Sequence, residues 1–237
     1  MALEAIIFGS IGTLTETSEL QRGAFNAAFA EAGLGWHWSA DQYRELVADG
    51  VSGGAARIAA FAAAKGFVML PAQAALLHDR KSAMFQDLMQ VQGLEPNAGV
   101  VDLLVTARAA GIRLGMASTT SARNIAAMFA ATAPRLDAGM FDCVASDKMV
   151  QFGKPAPDVY QAVMARLRVA APDVVAIEDT AQSLASPIAA RVLTLVIPGA
   201  IARHHDFGST PMSHSLVDFG GLAAIRALHA DTQAAAA

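Results

Sequence analysis

From Glu95 onward helix-like and strand-like segments alternate four times. GVVDLLVTARAAG gives way to IRLGMAS, TSARNIAAMFAA to FDCVAS, PAPDVYQAVMARLRV to DVVAIED, and TAQSLASPIAARV to LTLVIPG. The first member of each pair places apolar residues three and four apart, the period of a helix face. The second is a short apolar run of strand length. A strand that is apolar at every position is buried on both faces, as in a parallel sheet covered by helices on each side. Residues 3–9, which include Ala5, Ile6, Ile7 and Phe8, supply one more strand. The pattern therefore predicts an α/β fold built on a parallel sheet.

Between Ser18 and about Met89 no strand interrupts the helical period. ELQRGAFNAAFAEAG, ADQYRELVADG, GGAARIAAFAAAKG and PAQAALLHDRKSAMFQDLMQ read as successive helices, with Gly33, Gly50 and Gly66 where helix stops belong. The expected organisation is a Rossmann-like α/β core of residues 1–16 and 92–237, interrupted by a four-helix-type cap at 17–91. No internal repeat, low-complexity linker or heptad stands out, and the closing DTQAAAA reads as a frayed tail. At 237 residues the chain is long enough for a substantial core.

Composition narrows the function classes. A hydrophobic content of 54% and a mean hydropathy of +0.39 come largely from alanine. No run of about eighteen strongly apolar residues marks a membrane span. MALEAIIF lacks the basic start of a secretion signal. The single Cys143 excludes an intrachain disulfide and fits a reducing cytoplasm, where it would serve as a small buried hydrophobe. Net charge is −4 with the basic residues scattered, which argues against nucleic acid.

Ligands of a doubly wound sheet gather beyond the carboxyl ends of its strands. The first strand delivers Gly9, Ser10, Ile11, Gly12 and Thr13 there, and the second delivers Ser118, Thr119 and Thr120. The loop after FDCVAS brings Asp147, Lys148 and Lys154, and DVVAIED ends on Glu178 and Asp179. Hydroxyls and amides at helix starts cradle phosphate, a lysine balances its charge, and a carboxylate pair holds Mg²⁺. Each element also has a plain structural use. Ser118 or Thr119 could be a helix N-cap, Lys154 a solvated loop residue, and Glu178 and Asp179 strand-end polar groups. The first loop has no Asp, Glu, His, Cys or Lys, so the platform lacks a reactive side chain.

IIFxxxGTLxET at 6–17, LGMASTTSARN at 114–124, GKPAPDVY at 153–160 and VVAIEDT at 174–180 together resemble the haloacid dehalogenase (HAD) superfamily. The branch most similar is that of the CbbY-like sugar-phosphate phosphatases, phosphoglycolate phosphatases and β-phosphoglucomutases. AFNAAFAEAGL at 24–34 and YRELVADGVSGGAARI at 43–58 resemble its helical cap. The resemblance implies a HAD fold. It also implies a first motif FDxDGTL, whose two aspartates act as Mg²⁺-ligating nucleophile and as general acid/base. Those positions fall on Gly9 and Ile11. By the same resemblance Gly12, Thr13, Ser118, Thr119 and Lys154 bind phosphate, Glu178 and Asp179 lie near the metal, and Arg57 is the remaining cation of the cap turn. Ala55 stands where that turn's lysine would be, Ser18 and Gln21 replace a Glu and a His, and Ser183 replaces a glycine four residues before Pro187.

Glycine offers no acceptor for a phosphoryl group and isoleucine moves no proton. Loss of a nucleophile costs about 10⁴–10⁶ in rate, and loss of acid–base help about 10²–10⁴. The expectation is an inactive or severely impaired phosphatase homologue, a pseudoenzyme that binds a small phosphorylated metabolite, with Mg²⁺ weak or absent and no protein partner identified. The alternative is an active Mg²⁺-dependent hydrolase using Ser10, Glu178 or Asp179. Strand alternation, if it continued past Phe8, would turn Ser10 away from residues 9 and 11, and the bulk of Ile11 could fill the phosphoryl space. His204 and His205 read as a surface loop, and Trp36 and Trp38, flanking His37, as packing of the cap.

Overall fold

The computed structural model describes residues 2–49, 51 and 53–236; Gly50, expected as a helix stop, lies outside them. The chain opens with β1 (Ala5–Phe8) and a one-turn helix α1 (Ile11–Leu14). Four helices follow, α2 (Ser18–Glu31), α3 (Ala40–Ala48), α4 (Gly54–Ala64) and α5 (Pro71–Gln92). The alternating part then runs α6 (Val100–Ala109), β2 (Arg113–Ala117), α7 (Ala122–Thr132), β3 (Cys143–Ala145), α8 (Asp158–Leu167), β4 (Val174–Glu178), α9 (Ala181–Ala189) and β5 (Leu193–Val196). Helices α10 (Leu216–Phe219) and α11 (Gly221–Ala236) close it.

The five strands form one parallel sheet in the order β3-β2-β1-β4-β5. β1 lies at the centre, with Ile7 opposite Gly115 on β2 and Ala176 on β4. Successive side chains leave the sheet on opposite faces. Ile6 and Phe8 join Leu114, Met116, Val175 and Ile177 against one helical layer, while Ala5 and Ile7 face Val159, Tyr160 and Val163 of α8. Every residue of β1 is fully buried, which is why its sequence carries no polar alternation.

Helices α2–α5 have a core of their own around Trp38. Its ring centroid lies 4.6 Å from that of Phe25 and 4.8 Å from that of Phe29. Trp36 and Trp38 are packing residues, as expected. The two connections between this helical insertion and the sheet run side by side. The Thr15 hydroxyl donates to the Glu95 carbonyl at 2.8 Å, and Asn97 donates its amide N–H to the Leu14 carbonyl at 2.8 Å. Along α5, Gln86 Nε2 donates to Asn124 Oδ1 of α7 at 2.8 Å, which fixes the insertion over the sheet's carboxyl edge. No described helix is long and apolar enough to cross a membrane.

The C-terminus corrects the sequence reading. The expected frayed tail is helical through Ala236. Alanine is the strongest helix former, and both Gln233 Nε2 at 2.9 Å and the His229 ring at 2.7 Å meet the Pro172 carbonyl.

Candidate functional site

In the strand order 3-2-1-4-5 the chain departs in opposite directions from β1 and β4, so the loops after these strands diverge and leave a crevice. A cavity of about 310 Å³ occupies it. Its floor is made by Gly9–Gly12, Ser118–Thr120, Lys154 and Asp179, and its roof by Gln21, Arg57, His78 and Lys81 of the helical insertion.

The loop after β1 is a helix start. Ser10 caps α1 by accepting the Thr13 N–H at 3.3 Å, and the Thr13 hydroxyl donates to the Ser10 carbonyl at 2.7 Å. Two expectations change as a result. Thr13 is buried with its amide engaged, so it is not a free phosphate donor, whereas Gly12 does line the cavity. The strand also ends at Phe8, so alternation does not carry Ser10 away; Ser10 lines the cavity beside Gly9 and Ile11. Ile11 is 6% exposed and buries its bulk among the core residues beneath the wall.

The two acidic residues at the end of β4, Glu178 within it and Asp179 after it, are not equivalent. Glu178 is 0% exposed and does not reach the cavity. Its Oε1 accepts from Lys154 Nζ at 2.7 Å and from the Tyr160 hydroxyl at 2.6 Å, while Oε2 is buried without a partner. Lys154 Nζ also donates to the Gly9 carbonyl. A Cβ on Gly9 would lie 2.1 Å from the Glu178 carboxyl carbon, so the carboxylate fills the space that a side chain at position 9 would need. Tyr160 is held well above its ordinary value by burial and then by the adjacent Glu178 charge. The expectation that Glu178 stands on the rim is therefore corrected. Its strand position is right, but its carboxylate is drawn beneath the floor by Lys154 and Tyr160.

Asp179 does face the cavity. A Cβ on Gly12 would lie 1.9 Å from its Oδ2, so only glycine permits this approach. Desolvation, and next the charge of Glu178, push Asp179 up to about 6. Lys154 and hydrogen bonds from Ser10 and Ser183 oppose the shift. The Ser183 hydroxyl donates to Asp179 Oδ1 at 3.2 Å and forms a capping box with Thr180 at the start of α9.

Ser118 and Thr119 follow β2 at the cavity floor, with the Ser118 Oγ accepting the Thr120 N–H at 3.2 Å. Neither is the N-cap of α7. Ser121 is, by accepting the Asn124 N–H at 3.3 Å. Asp147 and Lys148 are exposed and stay outside the cavity. Arg57 reaches it, but its Nε donates to the Leu46 carbonyl at 3.1 Å and its second guanidinium nitrogen to the Val51 carbonyl at 3.2 Å.

Sequence reasoning missed two roof residues, His78 and Lys81, both on α5. The signal for Lys81 was present, because Leu77, Lys81, Phe85 and Met89 form one buried row at four-residue spacing. Lys81 is 4% exposed and donates to Gln21 Oε1. Desolvation, helped by the charge of Arg57, pushes it down to about 7. At the other end of the chain, His204 is exposed and His205 is partly buried near Phe207. Among the described residues no three His, Cys, Asp or Glu side chains group as metal ligands. Two carboxylates line the cavity among the described residues: Asp179, and Glu16, whose oxygens accept from the Ser18 and Ala200 amides. Lys154 already places a cation at Glu178, so the donor set does not fit the oxygen-rich shell that Mg²⁺ requires.

Residues 3–190 match the model of the haloacid dehalogenase-like hydrolase family. The chain is 37% identical to Protein CbbY of Cereibacter sphaeroides over 224 residues, covering 94% of this chain and 96% of that protein. Its fold superposes with a TM-score of 0.85 on crystal structures of CbbY from Rhodobacter sphaeroides, one an aspartate-to-asparagine variant in complex with xylulose-(1,5)bisphosphate and the other a complex with phosphate. Each is 37% identical, with 94% of this chain and 98% of that one covered. Both the core motifs and the helical insertion fall within these matches, and the chain belongs to the haloacid dehalogenase-like hydrolases, among the CbbY-like proteins.

Proposed function

We propose that this protein binds a small phosphorylated metabolite in the cavity between sheet and helical insertion, and that it has lost all or nearly all phosphatase turnover. Residues 17–91 serve as the cap that covers the ligand. The observation that carries the reading is at the end of β1, where residue 9 has no side chain and the Glu178 carboxylate occupies its place. That carboxylate is held by Lys154 and Tyr160 out of contact with the cavity. A phosphoryl group entering the crevice therefore meets hydroxyls and amides of Ser118, Thr119 and Gly12 but no carboxylate on β1 to accept it. The CbbY complexes with xylulose bisphosphate and with phosphate support a phosphorylated ligand. Mg²⁺ binds weakly or not at all, and micromolar affinity by calorimetry would overturn that point. A free, buried Cys143 fits a protein of the reducing cytoplasm.

The test is a phosphatase screen with Mg²⁺ over sugar phosphates that includes xylulose 1,5-bisphosphate, run beside calorimetry of phosphate binding. Binding without turnover is expected; rapid metal-dependent phosphate release by the unmodified protein would refute the reading. One observation favours a second reading. The Ser10 hydroxyl hydrogen-bonds Asp179, a carboxylate pushed up to about 6, which is the arrangement of a hydroxyl nucleophile beside a base. Turnover abolished by Ser10→Ala or Asp179→Ala would establish it.

A further inference from the structure

The geometry points to Lys81 as an amine that condenses with the carbonyl of a phosphorylated aldehyde or ketone held in the cavity, forming a reversible imine at Nζ. This rests on the reading of the floor as a phosphate cradle and adds a covalent step at the roof.

Lysines at protein surfaces are protonated and solvated, and lysines in ion pairs are held protonated by their carboxylate; neither is a nucleophile. Lys81 is in neither condition. It is almost fully buried and its hydrogen-bond acceptor is the neutral Gln21 amide. The Phe25 and Phe85 ring centroids, 4.6 Å and 4.8 Å from Nζ, attract an ammonium by cation–π contact but do not replace the water or the carboxylate it lacks. Among the described residues no carboxylate forms an ion pair with it, and the nearest influence of like sign is Arg57 on α4. An apolar, cation-flanked pocket is the environment that leaves a lysine amine neutral near pH 7 and able to attack carbonyl carbon. The amine is pushed down to about 7, in agreement with that placement.

A simple charge role fits less well. An apolar side chain would complete the row of Leu77, Phe85 and Met89 without burying a cation. Lys81 nonetheless lines the same cavity as Ser118, Thr119 and Asp179. A molecule with phosphate at one end and a carbonyl toward the other spans floor and roof. The cavity, about 310 Å³, has the volume of a small-metabolite site.

The step balances without an oxidant or reductant. The Nζ lone pair forms a bond to the carbonyl carbon while the π pair moves to oxygen, which takes up the proton that nitrogen releases. The nitrogen lone pair then expels that hydroxyl to form C=N, and the second N–H proton leaves nitrogen and departs with the hydroxyl as water. His78 lies one turn earlier on α5, half-buried at the same wall, and relays that proton.

The experiment is reduction with sodium borohydride in the presence of dihydroxyacetone phosphate, read by intact mass and peptide mapping of the wild-type protein. One reduced adduct is expected on Lys81, at least about tenfold above exposed lysines such as Lys65 and Lys148. It should be lost in Lys81→Met and suppressed by glycerol 3-phosphate, which has no carbonyl. Labelling spread evenly over exposed lysines, or none at Lys81, overturns the inference. Because the mapping is done on the wild-type chain, the outcome does not depend on how well the variant folds. If glycerol 3-phosphate binds by calorimetry and Lys81 stays unlabelled, imine formation fails and the phosphate-binding reading stands. If unphosphorylated dihydroxyacetone labels Lys81 equally and glycerol 3-phosphate does not bind, the amine chemistry stands and the cradle reading fails.

Discussion

Two lysines border one cavity from opposite sides. Lys154, from the sheet side, sits against the Glu178 carboxylate, the Gly9 carbonyl and the Tyr160 ring. Lys81, from the helical side, sits between two phenylalanine rings on a neutral amide. Lys81 is buried and the Lys154 side chain is 9% exposed, yet their charges are managed differently. A buried ion pair with hydrogen bonds to spare is an internal structural unit, and its disruption is costly. A buried cation without an acid is a standing cost that falls as the amine gives up its proton. The floor is organised around its own carboxylate, while the roof keeps a buried amine without an acid partner among the described residues.

The largest effect is expected at Glu178. Glu178→Ala strips a buried partner from both Lys154 and Tyr160, and thermal or urea denaturation should show a loss of about 3–5 kcal/mol. A loss below 1 kcal/mol would mean that the floor is not the integrated unit described. A smaller effect is expected for Gly9→Asp. Its Cβ must displace the Glu178 carboxylate, now 2.1 Å away, and overpacking of this kind costs about 1–3 kcal/mol. Combining it with Glu178→Ala should recover part of that loss, since the second change vacates the space.

The smallest change at neutral pH is expected for Lys81→Met, a swap of similar volume that should cost less than about 1.5 kcal/mol. Its signature lies in pH. Lys81 stands at about 7 in the folded protein against an ordinary 10.5, so between these values the unfolded chain holds more protons than the folded one. Stability due to this residue therefore rises as pH rises through that window. The rise should vanish in Lys81→Met, with Arg57 and His78 as the other titratable or charged groups on that wall. Equal slopes in the two proteins would show that Lys81 is not desolvated as described.

Much of the fold was legible because its signals are local and repeated. Four helix–strand alternations give a buried parallel sheet whatever the loops do, and the helices of the insertion begin and end close to where apolar spacing and glycine placed them. The site was legible as positions more than as orientations. Ser118, Thr119, Lys154, Asp179 and Gly12 all reach the cavity, since each follows a strand that the sheet aligns. Glu178 and Thr13 sit at the expected places in sequence yet turn inward, because Lys154 with Tyr160, and Ser10, claim their polar atoms first. Lys81 shares the apolar row of Leu77, Phe85 and Met89, which signals burial, but the cavity it lines exists only once the insertion packs over the sheet.

The sequence by itself determined the strand platform, the helical insertion and the absence of any carboxylate in the loop after β1, since these depend on residue type and on spacing along the chain. Only the tertiary structure decided that Glu178 fills the vacant position beside Gly9, that Lys154 is committed to it, and that Lys81 is buried without an acid. Those outcomes depend on which of several polar groups, far apart in sequence, come within hydrogen-bonding distance. Such distances are set by packing between elements, and no local pattern encodes them.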